Sequence, residues 1–245
     1  MGKTALRVTS HVLAMGKGRL RAVQLTDLHL DDRADLGWLA ALCAHVNALE
    51  PDVIFFTGDF TCKKNAYKNA QAALRILQTL RAQAGKFAVR GNHDVFGAAG
   101  RGAALIEGAG FTLLNNAVAE TRTRDGRRLL VGGLDSAQHG LAYLRAVSPL
   151  RAQAGALRIL LLHEPRAAGC VRPGTADLIL AGHTHAGQFH VPLLERFWMP
   201  KLSGRYIHGM YRVHGMPLYV SAGLGESGPR VRFRSPRELA VFHFI

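Results

Sequence analysis

The sequence contains few cysteines and no long apolar run, and each shortage excludes a class of protein. Its 3 cysteines are a small and odd number for a chain of 245 residues, which argues against a disulfide framework and favours a reducing compartment. The longest apolar runs, such as 52–58 and 157–163, are far shorter than the roughly 20 residues that a membrane-spanning helix needs. The stretch 1–18 also lacks the continuous apolar segment of a signal peptide. We therefore expect a cytoplasmic protein.

Acidic residues are also scarce. The chain has 17 Asp and Glu against 31 Lys and Arg, a formal net charge of +14, and this excess favours anionic partners such as nucleic acid, anionic lipid or a phosphorylated substrate. The basic residues are spread along the chain, apart from two runs at 122–128 and 229–237. Because the charge is so dispersed, it makes nucleic acid only a minor alternative as the main partner.

Internal repeats and linkers rich in Ser, Pro or Gly are absent from the sequence. We therefore predict a single domain over residues 1–245, with enough hydrophobic residues (48%) to bury a substantial core. Apolar runs of strand length alternate with helical patterns of three- and four-residue spacing. The predicted strands are 21–26, 52–57, 86–90, 128–133, 158–163 and 177–182, and the predicted helices are 36–50, 66–83 and 102–109.

The order of these elements predicts the α/β class. Strands that alternate with helices form parallel or mixed sheets with helices on their faces. The tail at 206–225, with its glycines and alternating apolar residues, predicts antiparallel strands that complete a second sheet. Turns are predicted at 16–19 and 124–128, where glycine stands beside polar residues.

Polar residues stand at the ends of five predicted strands. They are Asp27 and His29, then Asp59, then Asn92, His93 and Asp94, then His163, and finally His183 and His185. Taken singly, each has an ordinary explanation, because an Asp or Asn often caps a turn and a histidine often packs in the core. Ligand sites in helix-covered sheets form at the carboxyl ends of strands, so the five ends would bring these side chains together. Such a mixture of carboxylates, amide and imidazoles needs a cation and suits Mn²⁺, Fe²⁺ or Zn²⁺.

The same residues, in this order, resemble the signature of the calcineurin-like metallophosphoesterases. The resemblance covers residues 20–225, and its blocks are Asp27-Leu28-His29, Gly58-Asp59, Gly91-Asn92-His93-Asp94, His163 and Gly182-His183-Thr184-His185. It implies a four-layer αββα sandwich, in which two mixed β-sheets pack face to face with helices outside. The stretches 182–188 and 223–233 further resemble a bacterial membrane-associated subgroup that includes UDP-2,3-diacylglucosamine hydrolase.

The resemblance implies two metal sites that share one ligand. The shared ligand would be the carboxylate of Asp59, which bridges two cations and screens their repulsion. Each site would have three ligands of its own, which are Asp27, His29 and His185 in the first site and Asn92, His163 and His183 in the second. A hydroxide shared by the two ions would be the nucleophile.

The resemblance also implies roles for the two residues that follow Asn92. His93 would face the leaving-group oxygen and stabilise or protonate it. Asp94 would orient His93 through a hydrogen bond.

Four further residues are candidates for contact with substrate. Arg90 and Arg230 could each match two phosphate oxygens with a guanidinium group, although a solvated surface arginine is the alternative. Phe197 and Trp198 belong to the aromatic and basic stretch 193–206, which could cover an acyl chain, rest on an anionic membrane or pack inside the domain. Weaker candidates for the pocket, each with a surface or core position as the alternative, are His139, His190, His208 and Cys62.

The combined prediction is a metal-dependent phosphoesterase with two Mn²⁺, Fe²⁺ or Zn²⁺ ions. Its expected substrate is a phosphodiester or pyrophosphate, with a lipid-linked nucleotide sugar such as UDP-2,3-diacylglucosamine as a candidate that would place the protein at the inner face of the membrane. The alternative is a nuclease or nucleotide phosphodiesterase, for which the charge of +14 would contribute phosphate binding. A non-catalytic binding scaffold is a third interpretation, against which the complete ligand set argues. No obligate protein partner is indicated.

Overall fold

A computed structural model of the protein describes residues 5–16, 19–62, 68–153, 155–188, 199–228 and 231–245, and within them the chain forms two β-sheets of six strands each. The first sheet contains, in spatial order, β1 (Leu6–Leu13), β12 (Arg237–Phe244), β2 (Leu20–Leu25), β3 (Val53–Thr57), β4 (Lys86–Val89) and β5 (Thr112–Leu113). The second sheet contains β10 (Gly209–Val213), β11 (Met216–Val220), β9 (Leu178–Ala181), β8 (Leu157–Leu161), β7 (Arg128–Gly133) and β6 (Ala117–Arg122).

Both sheets are mixed. In the first, β2, β3, β4 and β5 are parallel, and β12 pairs antiparallel with β2 and parallel with β1. In the second, β11, β9, β8 and β7 are parallel, and the edge strands β10 and β6 are antiparallel to their neighbours. The carboxyl ends of β2, β3 and β4 therefore share one edge of the first sheet, and those of β8 and β9 share one edge of the second.

Helices cover the outer face of each sheet. The first sheet is covered by α1 (Leu36–Ala48), α2 (Ala70–Leu77) and α4 (Gly102–Gly108), and α3 (Asn92–Gly100) follows β4 directly. The second sheet is covered by shorter elements, which are α5 (Ser148–Arg151) and the 3₁₀ helices Leu144–Val147 and Pro165–Cys170. No helix in the described part of the chain is long and apolar enough to span a membrane.

Three apolar layers separate these elements, and β3 shows how one strand serves two of them. Phe55 faces the second sheet, where it joins a cluster with Tyr219 and Phe242. Ile54 and Phe56 face the helices and pack in the cluster that contains α1 and α2. Every residue of β3 is buried, which is why the strand is an unbroken apolar run rather than an alternating one.

A buried carboxylate joins the two sheets near their edge. Glu238 of β12 accepts hydrogen bonds from the hydroxyl of Tyr219 at 2.6 Å, the hydroxyl of Thr9 at 2.9 Å and the backbone N–H of Ala222 at 2.7 Å. His208 Nε2 lies 3.1 Å from the same carboxylate. His208, a weak candidate for the pocket, is thus engaged in this network.

The predicted sandwich of two mixed sheets flanked by helices is confirmed. The six predicted strands and the three predicted helices all occur, and their bounds shift by a few residues. The largest difference is α2, which spans Ala70–Leu77 rather than 66–83. The strands β1, β5, β6 and β12 are absent from the predicted set, and the pairing of β1 with β12 joins the first and last segments of the chain.

Candidate metal centre

The polar residues at the strand ends meet in one buried cluster at the carboxyl edges of the two sheets. Asp27 and His29 follow β2, Asp59 follows β3 and Asn92 begins α3 after β4. From the second sheet, His163 follows β8, and His183 and His185 follow β9. All seven side chains are buried, with relative exposures between 0% and 6%.

One group within the cluster consists of Asp27, His29 and His185. The Nε2 atoms of the two histidines lie 3.0 Å apart, and the Oδ1 atom of Asp27 lies 3.4 Å from Nε2 of His185 and 3.8 Å from Nε2 of His29. One ligand atom from each residue therefore lies within 4.8 Å of the other two. The three side chains point into the same small volume, as ligands of a single ion must.

The second group consists of Asp59, His163 and His183. Oδ2 of Asp59 lies 3.2 Å from Nε2 of His163, and Nδ1 of His183 lies 3.2 Å from the same His163 nitrogen. The same Asp59 oxygen also lies 3.5 Å from Nε2 of His29, in the first group. The carboxylate of Asp59 therefore faces both groups, the position that a bridging ligand needs.

Asn92 provides the test of whether these residues fit divalent ions. Its Oδ1 atom is buried and has no hydrogen-bond partner among the described residues, an arrangement that is costly unless another group satisfies the oxygen. Carboxylates, imidazoles and an amide oxygen, without a thiolate, suit Mn²⁺, Fe²⁺ or Zn²⁺ in an open catalytic site. The donor set and the unpartnered oxygen both fit such an ion.

Two of the histidines are held from behind by backbone carbonyl groups. His163 Nδ1 donates to the carbonyl of Thr57 at 2.7 Å, and His183 Nε2 donates to the carbonyl of Lys201 at 2.6 Å. In the neutral form of each ring, these hydrogen bonds place the proton on the outer nitrogen and leave the lone pair of the inner nitrogen for a cation. Metal-binding histidines are commonly oriented in this way.

His185 has a different partner, the buried arginine Arg232. The Nη2 atom of Arg232 lies 3.2 Å from Nδ1 of His185, and the guanidinium also donates to the carbonyl groups of Gly225 and Ala222. Because a guanidinium can only donate, Nδ1 accepts and a neutral His185 ring has its proton on Nε2. Binding of a cation at Nε2 therefore has to displace that proton.

The backbone at the cluster adopts conformations that side chains other than glycine rarely take. The φ angles are 53° at Asp27, 48° at His29, 56° at Asp59, 77° at His183 and 52° at His185. Left-handed backbone at residues other than glycine costs free energy and concentrates at functional sites. In this protein the left-handed residues turn the backbone sharply where these strands end, and the turns direct the side chains into the cluster.

The charges of the cluster shift the ionisation of its members. Burial would raise the pKa values of Asp27 and Asp59, but the surrounding histidines lower both of them overall. Burial, reinforced by the neighbouring His29 and His163, lowers the pKa of His93 to about 4. Both carboxylates are therefore ionised and His93 is neutral near pH 7.

His93 lies at the rim of the cluster and Asp94 lies beneath it. The ring of His93 is half-buried and stands edge-on to the ring of His29, with centroids 4.8 Å apart. The carboxylate of Asp94 accepts hydrogen bonds from the backbone N–H groups of Thr61 at 3.0 Å and Gly91 at 2.9 Å. These contacts tie the loop after β3 to the loop after β4. The hydrogen bond from the ring of His93 to the carboxylate of Asp94 stays a prediction.

The other predicted residues have varied positions. Arg90 forms a bidentate ion pair with Asp135, so its guanidinium is already engaged. His139 Nε2 donates to the carbonyl of Asn92 at 3.1 Å, beside the cluster. The thiol of Cys62 lies 3.2 Å from the carbonyl of His29. Phe197, Trp198, Arg230 and His190 lie outside the described residues.

Sequence reasoning did not identify two residues next to the cluster. Arg232 belongs to the basic run at 229–237, where nothing local distinguishes it from the exposed Arg234. Phe96 stands on α3 three residues after His93 with 58% of its surface exposed, and its ring meets that of His139 edge-on at 4.9 Å. The i, i+3 spacing on a helix could have indicated that Phe96 and His93 share a face.

A buried set of Asp, Asn and His side chains that could hold metal ions, at the carboxyl edges of two packed mixed sheets, fits a metal-dependent phosphoester hydrolase. The chain belongs to the calcineurin-like phosphoesterase family, whose family model matches residues 20–187. The resemblance that the sequence motifs indicated is thereby confirmed.

Curated relatives support the family at moderate identity. The chain is 32% identical over 240 residues to the uncharacterized metallophosphoesterase YkuE of Bacillus subtilis, covering 96% of this chain and 82% of that protein. It is 29% identical over 204 residues to the phosphodiesterase YaeI of Escherichia coli, covering 82% of this chain and 73% of YaeI. A transmembrane protein with metallophosphoesterase domain from Danio rerio is 31% identical over 237 residues, and the match covers 90% of this chain but only 52% of that protein.

A solved structure shows the same fold. The 5'-nucleotidase precursor of Thermus thermophilus superimposes with a TM-score of 0.53 at 17% identity, covering 83% of this chain and 48% of the nucleotidase. At this identity the similarity concerns the fold alone.

Proposed function

We propose that the chain hydrolyses a phosphodiester or pyrophosphate bond with two divalent ions, one held by Asp27, His29 and His185 and the other by Asn92, His163 and His183. The observation that supports this proposal most directly is the position of Asp59, whose Oδ2 atom lies 3.5 Å from His29 Nε2 and 3.2 Å from His163 Nε2. When bound, two such ions polarise the phosphoryl group and activate water. Manganese, iron and zinc are the proposed metals.

His93 is the residue of this chain proposed to act on the leaving group. Its ring stands at the rim of the cluster, and its pKa, lowered to about 4 chiefly by burial, makes it neutral near pH 7. A neutral imidazole can donate an N–H hydrogen bond to a leaving oxygen that gains negative charge. His93 is therefore proposed to stabilise or protonate the leaving oxygen from its place at the rim of the cluster.

The charges near the cluster favour a diester over a terminal monoester. A terminal monoester carries a doubly charged phosphate, for which a free guanidinium is a good bidentate partner. Arg90 is paired with Asp135, and Arg232 is buried behind His185. The similarity to YaeI, which is named a phosphodiesterase, supports the same choice.

The rim beside His93 favours a substrate with an apolar part. Phe96 shares the helical face of His93, is 58% exposed and rests edge-on against His139. His139 is itself bonded to the carbonyl of the proposed ligand Asn92. An acyl chain or other apolar group placed on Phe96 would therefore lie next to the reacting phosphate. We keep UDP-2,3-diacylglucosamine as the proposed example, with Phe197 and Trp198 as further proposed contacts.

The test compares three substrates with the metal-loaded protein. UDP-2,3-diacylglucosamine, single-stranded DNA and bis(p-nitrophenyl) phosphate are assayed side by side at two salt concentrations. If the acyl part packs on Phe96, Phe96→Ala lowers kcat/KM for the acylated substrate by roughly 10-fold or more, since an apolar side chain contributes about 1.5–3 kcal/mol on burial. Hydrolysis of single-stranded DNA by the same variant should not change.

The matched control is Met210→Ala, which removes another exposed apolar side chain, 44% exposed, from the edge strand β10. This variant should hydrolyse all three substrates as the parent does. Turnover of DNA alone, with a steep decrease as salt rises, would instead favour a nuclease. Equal activity of Phe96→Ala and the parent on the acylated substrate would remove Phe96 from the proposal.

A further inference from the structure

A cavity whose lining includes none of the proposed metal ligands lies on the outer face of the second sheet. It has a volume of about 860 Å³ and lies between the segment formed by Leu144–Val147 and α5 and the segment that follows β8. We call it the arginine groove, because its rim contains Arg145, Arg151 and Arg172. No acidic residue is among the described residues that line it.

The three arginines of the groove lack the acidic partners that many other arginines of the protein have. Arg128 pairs with Glu120, Arg158 with Asp177 and Arg237 with Glu226. By contrast, the guanidinium groups of the groove arginines have no hydrogen-bond or ion-pair partner within the described ranges. Three unpaired cations around one cavity create a strongly positive potential there.

The floor and one end of the groove are apolar. Val147 and Val171 form part of its floor and are almost fully buried. Leu144, 37% exposed, lines the groove, and two further exposed apolar side chains shortly precede it in the chain, Leu141 at 39% and Tyr143 at 57%. Arginines beside exposed leucine and tyrosine are the composition of surfaces that lie in the headgroup region of a bilayer.

We propose that the arginine groove, together with Leu141, Tyr143 and Leu144, is a contact surface for a membrane that contains anionic lipid. The arginines bind lipid phosphates, and the three apolar side chains enter the headgroup region. The groove floor contains aliphatic side chains rather than the aromatic platforms on which unpaired bases stack, which disfavours single-stranded nucleic acid as the occupant. This surface goes beyond the proposed function and does not depend on the identity of the substrate.

The position of this surface relative to the metal centre has a functional consequence. Leu141 stands two residues after His139, which is bonded to the carbonyl of Asn92. A protein bound through this surface therefore has one rim of its metal centre close to the bilayer. Substrates embedded in the bilayer would reach that rim without leaving the lipid entirely.

The experiment measures co-sedimentation of the full chain with vesicles. One set of vesicles contains equal parts phosphatidylglycerol and phosphatidylcholine, and the other contains phosphatidylcholine alone. The parent should bind the anionic vesicles and not the neutral ones. Each arginine near an anionic surface is worth about fivefold in affinity, so the triple variant R145Q/R151Q/R172Q should bind about 100-fold more weakly.

The matched control is R19Q/R75Q/R81Q, which removes the same charge from three exposed arginines outside the groove. It should bind the anionic vesicles within about fivefold of the parent. A second variant, L141S/Y143S, should also bind more weakly, and the loss should persist at high salt because the apolar contribution is not screened. Both groove variants should hydrolyse bis(p-nitrophenyl) phosphate like the parent, which shows that they are folded.

Three results would overturn the proposal. The first is a parent that does not sediment with anionic vesicles. The second is an equal loss in both triple variants, which would assign binding to the diffuse charge of the chain. The third is tighter binding of single-stranded DNA than of vesicles through the same three arginines. A failure of hydrolysis in all variants and the parent would concern the proposed function and leave the sedimentation result intact.

Discussion

The close approach of Gly91 to Asp59 leads to a sharp prediction about the metal centre. A Cβ atom added at Gly91 would lie 2.2 Å from Oδ1 of Asp59 and 2.5 Å from the backbone nitrogen of the same residue. Real Cβ atoms essentially never approach closer than 3.0 Å. The substitution Gly91→Ala therefore has to move the Asp59 carboxylate, the alanine or both by at least 0.8 Å in total.

The size of this displacement sets the expected loss. A functional constellation tolerates about 0.5 Å of error, and a misplacement of about 1 Å costs roughly 100-fold in rate. Because Asp59 faces both ligand groups, Gly91→Ala should lower the metal content of both sites and the turnover by roughly 100-fold or more. The overpacked loop should also cost about 1–3 kcal/mol in the free energy of unfolding.

The assay combines elemental analysis of metal content, turnover of bis(p-nitrophenyl) phosphate and urea unfolding. Gly169→Ala is the control, because a Cβ atom at Gly169 meets nothing within 4 Å, and it should match the parent in all three measurements. A Gly91→Ala protein with full metal content and full activity would refute the claim that glycine is required there. Loss of activity with unchanged metal content would place the effect on substrate rather than on the ligands.

Three further predictions concern single side chains. His93→Ala should retain near-normal metal content and lose roughly 10²–10⁴-fold in turnover, with a smaller loss for p-nitrophenolate as leaving group; loss of the metal as well would make His93 a ligand. Elemental analysis is expected to find two metal ions per chain in the parent, and Asp59→Asn should lower the occupancy of both sites. A variant that retains both ions would contradict the bridging role. Burial would raise the pKa of Glu238, but hydrogen bonds from His208, Tyr219 and Ala222 lower it from 4.5 to about 2. Because its pKa is lower in the folded state, ionised Glu238 stabilises the fold by about 3 kcal/mol above about pH 4.5, and this stabilisation is lost as the pH falls toward 2. Urea unfolding at several acidic pH values should therefore show a weaker pH dependence of stability for Glu238→Gln than for the parent.

Much of the fold can be derived from local pattern. The run 52–57 predicts β3 because an unbroken apolar stretch of that length is typical of a strand buried on both faces, and the helical spacing at 36–50 predicts α1. The pattern is less informative at 66–83, where helical spacing continues beyond Leu77 although the helix ends there. Helix ends depend on packing against neighbouring elements, and apolar spacing does not report that packing.

The proposed metal ligands are similarly visible in the sequence, since each stands shortly after an apolar run. Asp27, Asp59 and His163 can be named because the carboxyl ends of neighbouring parallel strands meet at one edge of a sheet. Which atoms face one another cannot be derived in the same way. The left-handed backbone at His183 and His185, for example, is set by contacts with loops from the other sheet.

The sequence by itself therefore determined the α/β class, the family and the types and order of the proposed ligands. Only the tertiary structure decided that Arg232 stands behind His185, that Asp94 ties together the loops after β3 and β4, and that Arg145 and Arg172 border one groove. Local pattern depends on residues that are neighbours along the chain, whereas these contacts join segments that meet only after the sheets have paired and packed. Their identity is consequently set by the packing of the whole molecule.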